Sequence, residues 1–478
     1  MTTSTEIEHP SVEERKARGK QSRANAAPTS HGGWKPAADR PDPVALLEEQ
    51  DATREQDLVP VRHGRMMVSP FTFYRGAAKI MAADLKDTPR AGLTTQLCGD
   101  AHLSNFGLFA SPERTLVFDV TDFDETLPGP FEYDVKRMSA SFTIAGRNNG
   151  FTKADTRAAT LAAVRAYRKA MAGFAQMGTM DVWYARLSDQ NLLTALKNLA
   201  RTGKGTEKKE AKSGEKGTRQ IVSKARTRDS LQALSKLAEM VDGRYRIISQ
   251  PPIVIPLQDL PSTAEMSPEE LRHMIHDQFR AYRATLQNDR RQLLERFEII
   301  DVARKVVGVG SVGTRAYIVL LQGRDRQDPL FLQVKEATTS VLEDHLPKSR
   351  FKQPGERVVH GQRLMQAASD IYLGWTKRVE DNRYLYWRQL RDMKGSAVVE
   401  TMTPGSLAIY ADICGWTLAR AHARSGDPIA IAGYLGKSDK FDTSITDFSQ
   451  RYADQNEKDH QAFVSAIHSG RLEAVEGV

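Results

Sequence analysis

Apolar residues recur every three to four positions from Tyr133 to about Ala200, a spacing that predicts helices. The same period predicts a helix over 69–85, started by Ser69-Pro70. A long amphipathic helix is expected over 267–297, opened by Ser267-Pro268-Glu269-Glu270. Shorter apolar runs read as strands at 93–97 and 116–120, and the chain is extended around Pro251-Pro252 within 244–257. The texture changes after Glu298. Residues 305–337 read as consecutive strands, 356–371 as a helix, and 372–390 as a hairpin across the polar turn KRVEDN. A helix over 406–426 stops at glycine. Residues 1–60 are polar with little periodicity. The expected fold class is therefore α+β: a flexible arm over 1–58, a helical unit over 59–300, a β-rich unit over 301–395, and C-terminal helices over 396–478 that complete the helical unit.

Composition narrows the classes. Of 478 residues, 40% are hydrophobic and 27% charged, the balance of a globular protein rather than a disordered one. No stretch approaches the roughly 20 apolar residues that span a bilayer, and the N-terminus lacks the apolar core of a secretory signal. Cys98 and Cys414 are the only cysteines, which excludes a disulfide framework and a four-thiolate zinc site. The expectation is a cytoplasmic protein without a membrane partner. Much of the net charge of +8 comes from 201–226, which holds nine Lys/Arg against three Glu. Few apolar residues and no interleaved aromatics make a mobile basic loop the reading there, and nucleic acid is not an expected partner.

Three motifs carry chemistry. In Asp100-Ala101-His102-Leu103-Ser104-Asn105 a carboxylate stands five positions before an amide. That is the spacing of a kinase catalytic loop, where the Asp accepts a hydroxyl proton and the Asn holds magnesium. Thr121-Asp122-Phe123-Asp124-Glu125 follows a strand, and its hard oxygen donors suit magnesium. Gly308, Gly310 and Gly313, with Ser311 among them, have a spacing shared by dinucleotide folds and kinase phosphate loops. A dinucleotide fingerprint must open a helix. Here Arg315–Leu321 is β-branched and apolar, so a strand–loop–strand hairpin over phosphates is expected, with Lys335 on the next strand.

Together these motifs resemble the protein-kinase-like superfamily, and most of all its aminoglycoside-phosphotransferase branch, with its HGDxHxxN loop and later IDxxD segment. Cys98 through Asn105 match every fixed position of that loop except the first His, which is Cys98. The resemblance implies a two-lobed fold and makes Asp134 of Tyr133-Asp134-Val135 the helix-borne Asp that braces the catalytic loop. His102 is assigned a loop-stabilising hydrogen bond. From about Val59 to Gly436 the chain resembles the uncharacterised bacterial family "domain of unknown function 2252", in SPFTFYRGAA, CGDAHLSNFG, DFDETLPGPFEYDVKR, GVGSVGT, FLQVKEA and GQRLMQAASDIYLGW.

The motifs run in an unusual order, with the catalytic loop and metal Asp at 100–122 and the Gly loop and Lys at 308–335. A circular permutation accounts for this within one chain; pairing of halves between two chains is the rival. By resemblance Lys335 pairs with a helix Glu, Glu356 first and Glu343 second, and the backbone at Gln389 and Leu390 meets adenine. The implied cofactors are ATP and Mg2+, with Asp100 as base, Lys335 on the non-transferred phosphates, and Asn105, Asp122 and Asp124 at the metal. The expected reaction is phosphoryl transfer to an unidentified hydroxyl acceptor. Nucleotidyl transfer, a nucleotide-binding regulator without turnover, and nucleic-acid binding through 201–226 are the alternatives. Arg62, Arg65 and Arg75 are candidates to meet an anionic acceptor, against the commoner fate of ion pairing.

Overall fold

The computed structural model describes residues 9–202, 205–260, 266–378, 381–390 and 392–477. It is a mixed α+β structure in which one large antiparallel sheet stands against a helical body. The sheet has six strands in the spatial order Gly374–Lys377, Tyr384–Gln389, Pro329–Glu336, Ala316–Gln322, Glu298–Lys305 and Val254–Pro256. Alternation along Pro329–Glu336 sorts its side chains. Leu330, Leu332 and Val334 join one apolar cluster with Tyr282 and Trp387, whereas Phe331 joins a second with Leu234, Ile318 and Leu320. Lys335 shares the face of Phe331 and is thereby directed away from the first cluster.

The helical body forms around Phe131–Asn148, which is buried over nearly its whole length. Lys153–Phe174 starts where the Thr152 hydroxyl accepts the Asp155 amide, and Pro404–Ser425 starts with a capping box between Thr403 and Ser406. The helices Pro404–Ser425, Pro428–Leu435 and Lys440–His468 enclose the same apolar core as Phe131–Asn148. No helix among the described residues is long and apolar enough to cross a membrane.

Four expectations need correction. Residues 9–58 are not a loose arm; residues 1–8 lie outside the described residues. The helix Val12–Gln21 is opened by a Ser11/Glu14 capping box, and Arg15 and Arg18 pair with Asp427. Arg40 bridges Asp84 at 2.6 Å and Asp459 at 2.6 Å, and Trp34 lies against Phe448 and Tyr452. Apart from Asp84, 44 positions from Arg40, these ion-pair and ring partners are more than 400 positions away in sequence, so local periodicity carries no sign of them.

The basic segment is a helix, Gly205–Arg226, rather than a loop; residues 203–204 lie outside the described residues. Its inward stripe uses Ala211, Val222 and Ala225, and a β-carbon added at Gly214 would lie 3.5 Å from the Leu196 side chain. A stripe made largely of alanine and glycine does not register as apolar period. The boundary at 300 also moves. The helix Ser230–Leu237 and strand Val254–Pro256 share an apolar cluster with the large sheet, and Tyr282 stacks on Trp387 at 4.5 Å. The sheet unit therefore begins near 230. The helix expected over 267–297 breaks into Pro268–Arg283 and Asn288–Leu294. The expected hairpin pairs Gly374–Lys377 with Tyr384–Gln389, while turn residues 379–380 lie outside the described residues.

Candidate active site

The short strand Thr94–Leu97 delivers the chain to Cys98-Gly99-Asp100, and the following single helical turn Leu103–Asn105 leads into the strand Phe106–Ala110. Asp134, on the first turn of Phe131–Asn148, accepts the Cys98 amide at 2.8 Å and the Gly99 amide at 3.0 Å. Gly99 has φ +85°, and a β-carbon there would stand 2.2 Å from the Glu125 carbonyl oxygen, so only glycine fits. His422, from Pro404–Ser425, adds a contact to Asp134 at 3.2 Å. The loop is thus fixed from below by one buried carboxylate.

Asp100 faces a cavity but is not free on every side. Its Oδ1 accepts the Arg137 Nε–H at 2.7 Å, and His102 Nε2 lies 3.6 Å from its Oδ2. Burial raises the Asp100 carboxyl above its usual range against the opposing pull of Arg137. Burial drives His102 well below the usual imidazole range, so it is neutral. The Asn105 side-chain amide donates to the Asp100 carbonyl at 2.8 Å. The Thr121 amide and hydroxyl both donate to the Asn105 carbonyl, at 2.8 and 3.1 Å. These bonds tie the segment carrying Asp122 to the loop carrying Asn105.

From the other half of the sequence, Lys335 reaches this same point. Its Nζ lies 2.6 Å from Asp124 Oδ2 and 3.9 Å from Asp122 Oδ2, with the side chain 3% exposed. The Tyr386 hydroxyl donates to Asp124 Oδ1 at 2.6 Å. Burial alone would lower the Lys335 ammonium and raise both carboxyls. Asp122 and Asp124 instead raise Lys335, Lys335 brings Asp124 below the ordinary carboxylate range, and Asp122 stays above it through burial first and the repelling charge of Asp124 second. The two halves meet within one chain.

The Gly-rich loop joins Glu298–Lys305 to Ala316–Gln322, which pair antiparallel. Gly308 has φ +69° and Gly313 φ +84°, conformations that favour glycine. Residues 54–76 clamp the loop from outside. Arg65 donates to the Gly308 carbonyl at 2.6 Å, Arg54 to the Val312 carbonyl at 2.6 Å, and the Glu55 amide to the Gly313 carbonyl at 2.8 Å. The amides of Gly310 and Ser311, two residues that line a cavity, have no protein acceptor among the described residues. Gly308, Ser311, Asn105, Asp122, Lys335 and Gln389 all line one cleft of about 500 Å³, within the range of small-ligand sites. Beside it is a second cavity of about 350 Å³, lined by Asp100, Asp124, Gly310 and Thr338 among others.

Two expected partners are elsewhere. Glu356 lies 3.8 Å from His360 on its own helix, and Glu343 lies 3.9 Å from Arg357, so the carboxylate that meets Lys335 is Asp124. The reason is topological: the helix Pro354–Met365 is anchored by Arg357 to the carbonyls of Thr126 and Thr338 and holds Glu356 away from Lys335. Gln389 and Leu390 do line the cleft, but the Gln389 amide donates to Asp370 and the Leu390 amide to the Phe331 carbonyl at 2.9 Å. Tyr384–Gln389 has neighbours on both sides, so its edge amides are consumed internally. Adenine would not meet these two N–H groups.

Arg137, Tyr386, Arg388 and His422 were not singled out by sequence reasoning. Arg137 lies one helical turn beyond Asp134, a spacing that places both on one face. Tyr386 and Arg388 are the register partners of Lys335 and Gln333. Strand alternation within RYLYWRQL carries that signal once the pairing is known. His422 has no local signal.

Among the described residues no group of three or more His, Cys, Asp or Glu could hold a metal. With both Asp124 oxygens engaged by Lys335 and Tyr386, Asp122 and the Asn105 side-chain oxygen are left as hard donors, a set that suits magnesium completed by phosphate and water oxygens. Comparisons with known proteins bear on the family alone. No curated protein and no solved structure matches the chain. A family profile described as "Uncharacterized protein conserved in bacteria (DUF2252)" matches residues 54–466, most of the 478-residue chain, and the chain belongs to that family.

Proposed function

We propose that this protein is an ATP- and Mg2+-dependent phosphotransferase acting on a hydroxyl acceptor, with a kinase-like two-lobed site whose halves are encoded in permuted order. The observation that carries the reading is the meeting of Lys335 with Asp122 and Asp124, 211 and more positions apart, at the mouth of a cleft that also holds Asn105 and the Gly-rich loop. Each group has work to do in phosphoryl transfer, which needs positioning and charge neutralisation more than covalent chemistry. The amides of Gly310 and Ser311 cradle phosphate oxygens, and Lys335 turns from Asp124 towards the non-transferred phosphates. Magnesium, held by Asp122 and Asn105, would supply Lewis-acid neutralisation of the phosphate oxygens.

Asp100 borders the second cavity, where the acceptor sits, and takes the hydroxyl proton. Arg137 holds one carboxylate oxygen in place, leaving the other for the substrate. Burial keeps the carboxyl above its usual range, a change in the direction that makes a carboxylate a better base. AMP transfer is the alternative on the same site.

Incubation with α- and γ-labelled ATP and a panel of hydroxylated metabolites separates them. Label transferred from the γ position, and lost in Asp100→Asn, is the expected result. Transfer of α-label would replace the reading with nucleotidyl transfer. ATP binding without transfer to any acceptor tested, and with no slow hydrolysis, would favour a regulator.

A further inference from the structure

The two cavities share three lining residues: Arg75, Asp122 and Ser311. Any group passed from a nucleotide in the larger cavity to an acceptor in the smaller one crosses between them. Asp122 and Ser311 have places in the site already described. Arg75 has none.

Arg75 ends the short helix Pro70–Gly76 and is half-buried. Other arginines around the site are engaged. Arg62 pairs with Asp51 at 2.9 Å, Arg137 with Asp100 at 2.7 Å, and Arg388 donates to Gln333 at 2.9 Å. Arg75 makes no hydrogen bond or ion pair among the described residues, its Nε is buried without a partner, and its guanidinium rests 6.0 Å from the Phe71 ring centroid. Burial depresses its pKa, and Glu400 and then Asp100 attract it only from beyond contact distance. A guanidinium kept partly desolvated without a counterion is costly unless a ligand anion completes it. Its position is also fixed. A β-carbon on Gly310 would lie 2.9 Å from the Arg75 carbonyl oxygen, so the Gly loop lies directly on this end of the helix.

Building on the phosphotransferase reading, we propose that Arg75 is a catalytic residue that grips the γ-phosphoryl group during transfer, an arginine finger supplied by the chain itself. In the transfer the bond between the γ-phosphorus and the β–γ bridging oxygen breaks, and its electron pair leaves with ADP. The acceptor oxygen forms the new bond to phosphorus and gives its proton to Asp100. Arg75 donates from the side to the equatorial oxygens of the moving group, whose charge it neutralises. Such an arginine accelerates transfer by a factor on the order of 10³ or more.

The test compares ATP and ADP, each with Mg2+, by calorimetric titration of wild type, Arg75→Met and Arg75→Lys. The expected result is ADP affinity unchanged within about twofold in Arg75→Met but ATP affinity about tenfold weaker, since only ATP carries the γ-group; Arg75→Lys keeps the charge without the fork and falls between. Arg75→Lys also serves if the Met variant does not fold. Equal ATP-to-ADP ratios in all three proteins overturn the assignment of Arg75 alone, as does an unchanged ratio accompanied by weakened acceptor binding. Failure of wild type to bind either nucleotide overturns the phosphotransferase reading together with it.

Discussion

Lys335→Met is the most informative single perturbation. The lysine is buried, its ammonium touches Asp124, and it lies 3.9 Å from Asp122. Its removal leaves two mutually repelling carboxylates with the Tyr386 hydroxyl as the remaining donor to Asp124. Breaking a buried pair from one side costs about 3–5 kcal/mol. Both aspartate side chains are 30% exposed, so water relieves part of the repulsion and the loss belongs at about 3 kcal/mol. Asp124→Asn removes the charge that Lys335 neutralises and keeps an acceptor for Tyr386. The double variant Lys335→Met/Asp124→Asn therefore regains most of the loss, with a coupling on the order of 2 kcal/mol. Denaturant unfolding of the four proteins measures that coupling. Additivity within about 0.5 kcal/mol would refute a tight pair. The double variant also separates stability from the proposed function, because it is expected to fold yet lacks the cation proposed to meet nucleotide phosphates.

Three further predictions follow from neighbouring geometry. Asp134→Ala leaves the buried Cys98 amide and the half-buried Gly99 amide without acceptors, a cost of about 1–3 kcal/mol for the first and less for the second, and hydrogen exchange at 98–105 should accelerate. Arg65→Ala frees the Gly308 carbonyl on an exposed edge, so stability should change by less than about 1 kcal/mol while ATP affinity falls several-fold in a titration. His31 is fully buried against Tyr434, and burial, then Lys136, pushes its pKa down to about 2. The unfolded chain binds a proton near pH 6.5 that the folded chain refuses. Stability from this group is thus fully present above that pH and falls by about 1.4 kcal/mol per unit below it. Urea midpoints between pH 7 and 4.5 should decline less steeply in His31→Gln, and an unchanged slope would contradict neutral burial.

The sequence pattern reveals local structure and the chemical inventory better than it reveals neighbours. Strand 116–120, the start at Ser69 and the helix beginning near 404 follow from alternation, capping and period, which are short-range effects. Asp100, Asn105, Asp122 and Lys335 stand out because their spacing and strand context match the needs of phosphate chemistry. What periodicity misses is set by long-range packing. Ion pairs such as Arg40 with Asp459 organise 9–58, an Ala/Gly stripe folds 205–226, and the seating of Pro354–Met365 decides that Asp124 rather than Glu356 meets Lys335. Cys98 is a similar case. It departs from the family-like loop pattern, yet its backbone amide still binds Asp134, and the imidazole beside that carboxylate comes from His422, more than 280 positions away.

The central claim is a nucleotide site built from both halves of one chain, and calorimetric titration of Mg2+-ATP into wild type and Lys335→Met/Asp124→Asn tests it most directly. One saturable site per chain in wild type, dependent on Mg2+ and absent from the folded double variant, is the predicted result. No heat of binding at millimolar ATP, or equal binding by both proteins, would contradict it.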